Sequence, residues 1–194
     1  ANGSLATQAR NDFAALVALQ DLSPIIVSGK DGAANAQLVS RWQSTRPADY
    51  AAWQADKNTT VPSTFTKEWI DDRAALLQAI STRNERDIDT RQIFDAQAAP
   101  GKVTFFHYND LQTGSDAVLS TLKSGQSGLP EQHVFFGGGG NDTFTGYDNT
   151  LGDHLYGMAG DDTLDGKGGA DYLEGGVGND TYRLQTGSDG IDTI

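Results

Sequence analysis

Apolar residues recur along the first part of this chain at helical spacing, and further on that pattern gives way to a β-like one. A helix is predicted from Leu5 to Gln20, with Phe13, Leu16 and Val17 on one face. Leu22-Ser-Pro-Ile-Ile-Val27 reads as extended, closed by a turn at Gly29-Lys-Asp-Gly32. Ala33–Arg46 reads as a helix carrying Leu38 and Trp42. Pro47 opens a third helix with Tyr50 and Trp53, since proline is tolerated in a first turn. Thr64–Arg83 is the clearest helix, with Trp69, Leu76, Leu77 and Ile80 close to helical spacing. Lys102–Tyr108 (KVTFFHY) then reads as a strand and Asn109–Gly114 as a turn. Ala117–Leu122 either returns as a second strand, completing a hairpin, or forms a short helix.

From Gly137 the apolar residues thin out and a nine-residue repeat begins. Its copies are GGGGNDTFT (137–145), GMAGDDTLD (157–165), GKGGADYLE (166–174) and GGVGNDTYR (175–183), with a degenerate copy, DNTLGDHLY, at 148–156. Aspartates fall at 142, 153, 162, 171 and 180, and Phe144, Leu155, Leu164, Leu173 and Tyr182 follow two places later. Both series step by 11 and then by 9, the long step being assigned to extra residues Gly146–Tyr147. The phase extends to a sixth copy, with Gly187, Asp189 and Ile191 in the glycine, aspartate and apolar places. Phe135 stands nine before Phe144, so a strand His133–Phe136 is expected to cap the series.

Charge alone would read this region as a disordered acidic tail. Residues 137–194 carry eleven acids against two bases and hold sixteen of the 23 glycines, whereas 1–136 carry fifteen acids against twelve bases. A disordered tail has no reason to keep a nine-residue period with its aspartate never missing, so disorder is expected only without a bound cation. The acidic surface also argues against nucleic acid or anionic membrane as a partner.

The G-G-x-G-x-D-x-U-x pattern over 137–183 resembles the RTX (repeats-in-toxin), or hemolysin-type, calcium-binding repeat family. The resemblance implies a parallel β-roll with calcium ions between its turns. The fold class is then α+β, with a mainly helical segment and short β hairpin at 1–128 and the β-roll at 129–194. Two nonapeptides make one turn, so Asp142, Asp162 and Asp180 stack on one side and Asp153, Asp171 and Asp189 on the other. Two to four ions are expected, at the pairs 142/162, 162/180, 153/171 and 171/189. The metal-binding positions carried over are those aspartates with Gly138, Gly140, Gly157, Gly160, Gly166, Gly169, Gly175 and Gly178. Asp148 and Leu151 stand where the second copy should have glycines, so the 153/171 site is expected to be lost or weakened unless Asp148 serves as an extra carboxylate. Leu184 and Gln185 place the 171/189 site in similar doubt.

The chemistry agrees with the pattern. Calcium takes six to eight oxygens at flexible distances, which main-chain carbonyls and aspartates supply. Glycines let the backbone adopt left-handed conformations and approach the ion. The x-U-x strand then points one apolar side chain inward. Stacked carboxylates repel unless a divalent cation lies between them, so folding of the repeats should be coupled to calcium.

Catalytic patterns are missing. Gly125-Gln-Ser-Gly-Leu129 lacks the closing glycine of a nucleophile elbow, and neither H-E-x-x-H nor a P-loop occurs. With no cysteine there is no thiol nucleophile, thiolate metal site or disulfide. Trp42, Trp53 and Trp69 read as core rather than a glycan or lipid surface, and His107, His133 and His154 lack ligand spacing. No stretch is apolar enough to span a bilayer, and residues 1–20 do not read as a signal peptide. The order of helical segment, β piece and repeats resembles the region downstream of lipase-like hydrolase domains in large secreted RTX proteins. That implies a fragment of a larger secreted bacterial protein, with any active site upstream.

The expected function is therefore a monomeric, non-enzymatic calcium-binding module that folds in extracellular calcium after its parent leaves through a type I secretion apparatus. Two alternatives are the non-catalytic portion of a secreted hydrolase or protease, and an adhesin that contacts a membrane or cell surface with the repeats as a rigid spacer.

Overall fold

The computed structural model describes residues 2–23, 32–60, 62–86, 105–120, 132–184 and 190–194. The chain divides into two compact units, Ala1–Asn84 and Glu85–Ile194.

The first unit is helical. The single helix expected over 5–20 is two, α1 (Asn2–Asn11) and α2 (Phe13–Gln20). The break lies at Asp12, whose backbone is extended (φ −132°, ψ 117°) while its carboxylate accepts the Ala14 N–H at 2.9 Å. A short acceptor side chain that caps a helix start costs less than one held in a helix interior. Residues 13–19 of α2 are all buried, so this helix has no polar face. At ~1.5–3 kcal/mol for each large apolar side chain removed from water, α2 supplies the core around which the unit packs.

Helix α3 (Ala33–Thr45) buries none of its residues, and its Leu38 is 41 % exposed. Trp42 on α3 is half-buried and stays out of the core expected for it. Helix α4 (Pro47–Lys57) begins on its proline and brings Trp53 into the core, the indole N–H donating to the Ala9 carbonyl at 2.9 Å. Phe13, Tyr50 and Trp53 form an aromatic cluster with centroids 5.0 to 5.9 Å apart. Helix α5 (Lys67–Arg86) starts and ends three residues later than expected and buries Trp69, Ile70, Ala74, Leu76 and Leu77. The extended piece and turn expected at 22–32 lie, apart from 22, 23 and 32, outside the described residues.

The second unit is β. Strands β1 (Phe105–Asp110) and β2 (Ser115–Ser120) pair antiparallel, so residues 117–120 are strand rather than helix. The remaining strands are β3 (Gln132–Phe136), β4 (Thr143–Thr145), β5 (His154–Tyr156), β6 (Thr163–Asp165), β7 (Tyr172–Glu174) and β8 (Thr181–Arg183). One sheet has the order β2-β1-β3-β5-β7 and the other β4-β6-β8. All pairings except the hairpin are parallel. Because β1 pairs in parallel with β3, the hairpin belongs with the repeats and not with the helices preceding the boundary expected at 128/129.

From β3 onward, successive strands alternate between the sheets, so every second repeat returns to the same sheet. Each three-residue strand sends its middle residue inward. Phe144, Leu155, Leu164 and Leu173 form the resulting core, with Phe135 and Tyr182 packed against it. The expected cap at 133–136 is present as β3, which pairs with β5 through Phe135↔Leu155. Among the described residues no helix is long and apolar enough to cross a membrane.

Candidate metal centre

The loop before each repeat strand ends on an aspartate, and these aspartates form two ladders. The Asp142 N–H donates to Asp162 Oδ1 at 2.7 Å, and the Asp162 N–H to Asp180 Oδ1 at 3.0 Å. On the other side His133 donates to Asp153 Oδ1 at 2.6 Å, Asp153 to Asp171 Oδ1 at 2.8 Å and Asp171 to Asp192 Oδ1 at 3.1 Å. Each step joins the amide of one rung to the carboxylate of the next. The interior members Asp153, Asp162 and Asp171 are buried, whereas Asp142, Asp180 and Asp192 are half-buried.

Asp192 takes the rung below Asp171. Asp189, the aspartate expected there, lies outside the described residues. Asp192 makes the rung bond, and Tyr172 is bridged to Thr193. A Cβ on Gly190 would overlap the Gly169 carbonyl, as a Cβ on Gly178 would overlap that of Gly160. Gly190 and Asp192 are thus the sixth copy's glycine and aspartate, three places later than a strict nine-residue step allows.

The second copy also needs rephasing. Gly146, read as an insertion, packs against Asp153 Oδ2 and the Gly166 carbonyl, just as Gly157 packs against Asp162 Oδ2 and the Gly175 carbonyl. Gly137 meets Asp142 Oδ2 and the Gly157 carbonyl, Gly166 meets Asp171 Oδ2 and Gly175 meets Asp180 Oδ2. The loop glycine preceding each aspartate therefore lies where any side chain would occupy the space beside that carboxylate. At Gly137, Gly146 and Gly157 a main-chain carbonyl of the next rung faces the same space. The extra residues lie within the 146–153 loop, where Asp148 bridges to Gly168.

The other positions expected at the metal shape these loops. Gly138 donates its N–H to Asp142 Oδ2 at 2.7 Å. A Cβ on Gly160 would overlap Gly140, and one on Gly169 would overlap the Leu151 carbonyl. Gly178, at φ 146°, occupies a conformation that L side chains rarely adopt. A further ladder escaped the sequence reading: Asn141 Oδ1 accepts the Asp161 N–H at 3.0 Å, and Asp161 Oδ1 accepts the Asn179 N–H at 2.9 Å. Its signal was the polar Asn or Asp before the repeat aspartate in three copies on one side only.

The electrostatics favour a cation. Burial pushes the Asp153 carboxyl up to about 7 against the N–H bonds from His133 and Tyr147, and the Asp171 charge adds to the rise. Burial likewise raises Asp171 to about 6, with Asp192 adding repulsion. Asp162 is raised by burial and by the charges of Asp180, Asp142 and Asp161. Oδ2 of Asp162 and Oδ2 of Asp171 are buried without a hydrogen-bond partner. An orphaned buried carboxylate oxygen is costly unless a cation or proton meets it. Among the described residues no three carboxylate or imidazole side chains gather at one point, so an ion here would also need main-chain or water oxygens. Such a donor set of oxygens alone suits calcium. Asp153 is the most committed carboxylate, with Oδ1 taken by His133 and Oδ2 by Tyr147 at 2.6 Å.

Alternating parallel strands, glycine-lined loops and laddered aspartates define a calcium-binding repeat module. Residues 134–150 and 147–182 match the RTX calcium-binding nonapeptide repeat, in four copies, so this part of the chain is similar to that repeat. No curated protein and no solved structure matches the chain.

His107 and His133, scattered in sequence, are neighbours on β1 and β3 with ring centroids 5.4 Å apart. His133 also stacks on Phe135 at 4.4 Å, giving this imidazole a packing role.

Proposed function

We propose that residues 132–194 form a parallel β-roll that binds calcium between its rungs, in a module of a larger secreted protein that folds on meeting extracellular calcium after type I export. The observation that carries this reading is the pair of orphaned, buried oxygens, Asp162 Oδ2 and Asp171 Oδ2, one in each ladder. The sites proposed are 142/162 and 162/180 on one side and 153/171 and 171/192 on the other. The ion supplies charge neutralisation; the chain supplies aspartates held in register by rung bonds and carbonyls brought close by glycine.

Extracellular calcium modules work near ~10⁻⁴ to 10⁻³ M, above cytosolic free calcium, so the same sequence stays unfolded before export. The module has no catalytic step of its own. Calorimetric titration of the 194-residue chain, beside far-UV circular dichroism in calcium and in chelator, tests the proposal. At least two ions and a calcium-induced strand signal are expected. Fewer than two ions, or a full strand signal in chelator, would sink it.

A further inference from the structure

The helical unit holds a cavity of about 320 Å³ where the ends of α1 and α4 meet the start of α5. Trp53, Phe65 and Ile70 give it an apolar lining, and Arg10, Lys57 and Lys67 contribute three cations. We propose that this cavity binds a small organic anion, a molecule with a flat apolar body and a single carboxylate or similar oxyanion. The body lies against Trp53 and Phe65, and the anion meets Lys57.

Charge complementarity selects this class of ligand. Residues 1–84 carry eight acids and eight bases, whereas residues 85–194 hold the entire net charge of −12. Three of the eight bases line one cavity in an otherwise neutral unit. The only carboxylate among the described residues of that lining, Asp56, is 8 % exposed and accepts the N–H groups of Ser63, Thr64 and Phe65 at 2.9, 3.1 and 2.6 Å. Its charge is thus committed to the connection between α4 and α5, and it fixes the wall carrying Phe65. Arg10 and Lys67 share Asp71, each at 2.8 Å.

Lys57 is different. Its Nζ lies 4.8 Å from the centre of the Trp53 ring and 3.4 Å from the Asn11 carbonyl, and no carboxylate pairs with it among the described residues. An ammonium has three donors, and a ring face with one long carbonyl contact leaves room for a stronger acceptor. The indole positions the cation at the cavity, so an anion would not have to order a free lysine on binding. The volume falls at the lower end of the range typical of small-molecule sites.

The test uses the full chain in calcium, titrated by calorimetry and ligand-observed NMR with naphthalene-2-carboxylate, its neutral carboxamide and naphthalene-2-methylammonium. The carboxylate should bind saturably, the carboxamide about tenfold more weakly, a difference of about 1.4 kcal/mol, and the ammonium not at all. The preference should shrink with added salt. Lys57→Met keeps an apolar stem against Trp53 and should erase the preference of carboxylate over carboxamide, whereas Lys57→Arg should keep it. Equal binding of the three probes, no saturable binding of the carboxylate, or an undiminished preference in Lys57→Met would each overturn the proposal.

Discussion

Replacing Asp162 with asparagine separates a carboxylate needed for calcium from one needed only to hold the loops. Asp162 Oδ1 accepts the Asp142 N–H at 2.7 Å, and an asparagine carbonyl keeps that bond. Its Oδ2 is buried without a hydrogen-bond partner, so the amide of asparagine removes the charge there without breaking a bond. In chelator the change removes a buried charge whose pKa is already raised, so the strand signal should stay level or rise. In calcium the sign reverses. At about 10 mM calcium and dissociation constants of ~10⁻⁴ to 10⁻³ M, one site stabilises the fold by ~1.4–2.7 kcal/mol. Asp162 belongs to both 142/162 and 162/180, so Asp162→Asn should cost between one and two such amounts. Urea unfolding in calcium, followed by the strand signal, measures the loss, and the signal amplitude in chelator gives the control. Equal losses in both media would refute the reasoning and reduce Asp162 to a structural acceptor.

Further outcomes follow from the same ladders. Without calcium, folding raises the carboxyls of Asp153 to about 7 and Asp171 to about 6 from a usual 3.8, so the folded state holds protons that the unfolded chain releases. That contribution is complete below the usual carboxylate range and is lost as pH rises through 6 and 7; the strand signal in chelator should therefore grow on acidification from pH ~8 to ~5. Calcium affinity, measured by titration, should fall over the same interval because protons compete for the same oxygens. Gly178→Ala sets a Cβ into the Gly160 carbonyl at φ 146° and should cost more than ~2 kcal/mol, seen as a higher calcium requirement for folding. Met158→Gly relieves a left-handed non-glycine residue at φ 75° and should stabilise the calcium-bound fold by up to ~1 kcal/mol in urea unfolding. Asp192→Ala removes the acceptor of the Asp171 N–H and should cost ~1–2 kcal/mol in the same assay, with Asp189→Ala costing less.

The nine-residue pattern carried most of the repeat fold in advance: which residue of each strand points inward, which aspartates share a side, and that residues 133–136 cap the series. Those features depend on local alternation and on a period, both visible in one dimension. The helical unit was less legible, and Asp12 shows why. Within an apolar run an aspartate reads equally as a polar residue on a helix face or as a cap, and only the packing of residues 13–19 on every side selects the cap. The parallel pairing of β1 with β3 was hidden because antiparallel neighbours announce themselves by a short turn, whereas here about twenty residues separate the two parallel strands. Asp192 was missed because the period was extended in strict steps of nine, and Gly187-Ser188-Asp189 carries the same G-x-D spacing as Gly190-Ile191-Asp192.

The two misphased copies point to what actually fixes the period. Along each ladder the rungs are 20, 18 or 21 residues apart, yet the amide-to-carboxylate bond stays between 2.6 and 3.1 Å. Among the described residues the extra ones enter the 146–153 loop, where closing a slightly longer loop costs a few tenths of a kcal/mol. An extra residue inside a strand would instead turn Leu155 or Leu164 out of the core and face the whole strand the wrong way. The conserved spacing is thus the one between rungs in space, from which nine residues follow whenever the loop is as short as it can be. Each rung must still place a carboxylate beneath the amide of the rung above it, and both Asp153 and Asp192 do so although they stand further along the chain than a strict period allows. At the proposed 153/171 site, calcium affinity is therefore expected to depend on the Asp153 lone pairs that remain after the His133 and Tyr147 N–H groups take theirs.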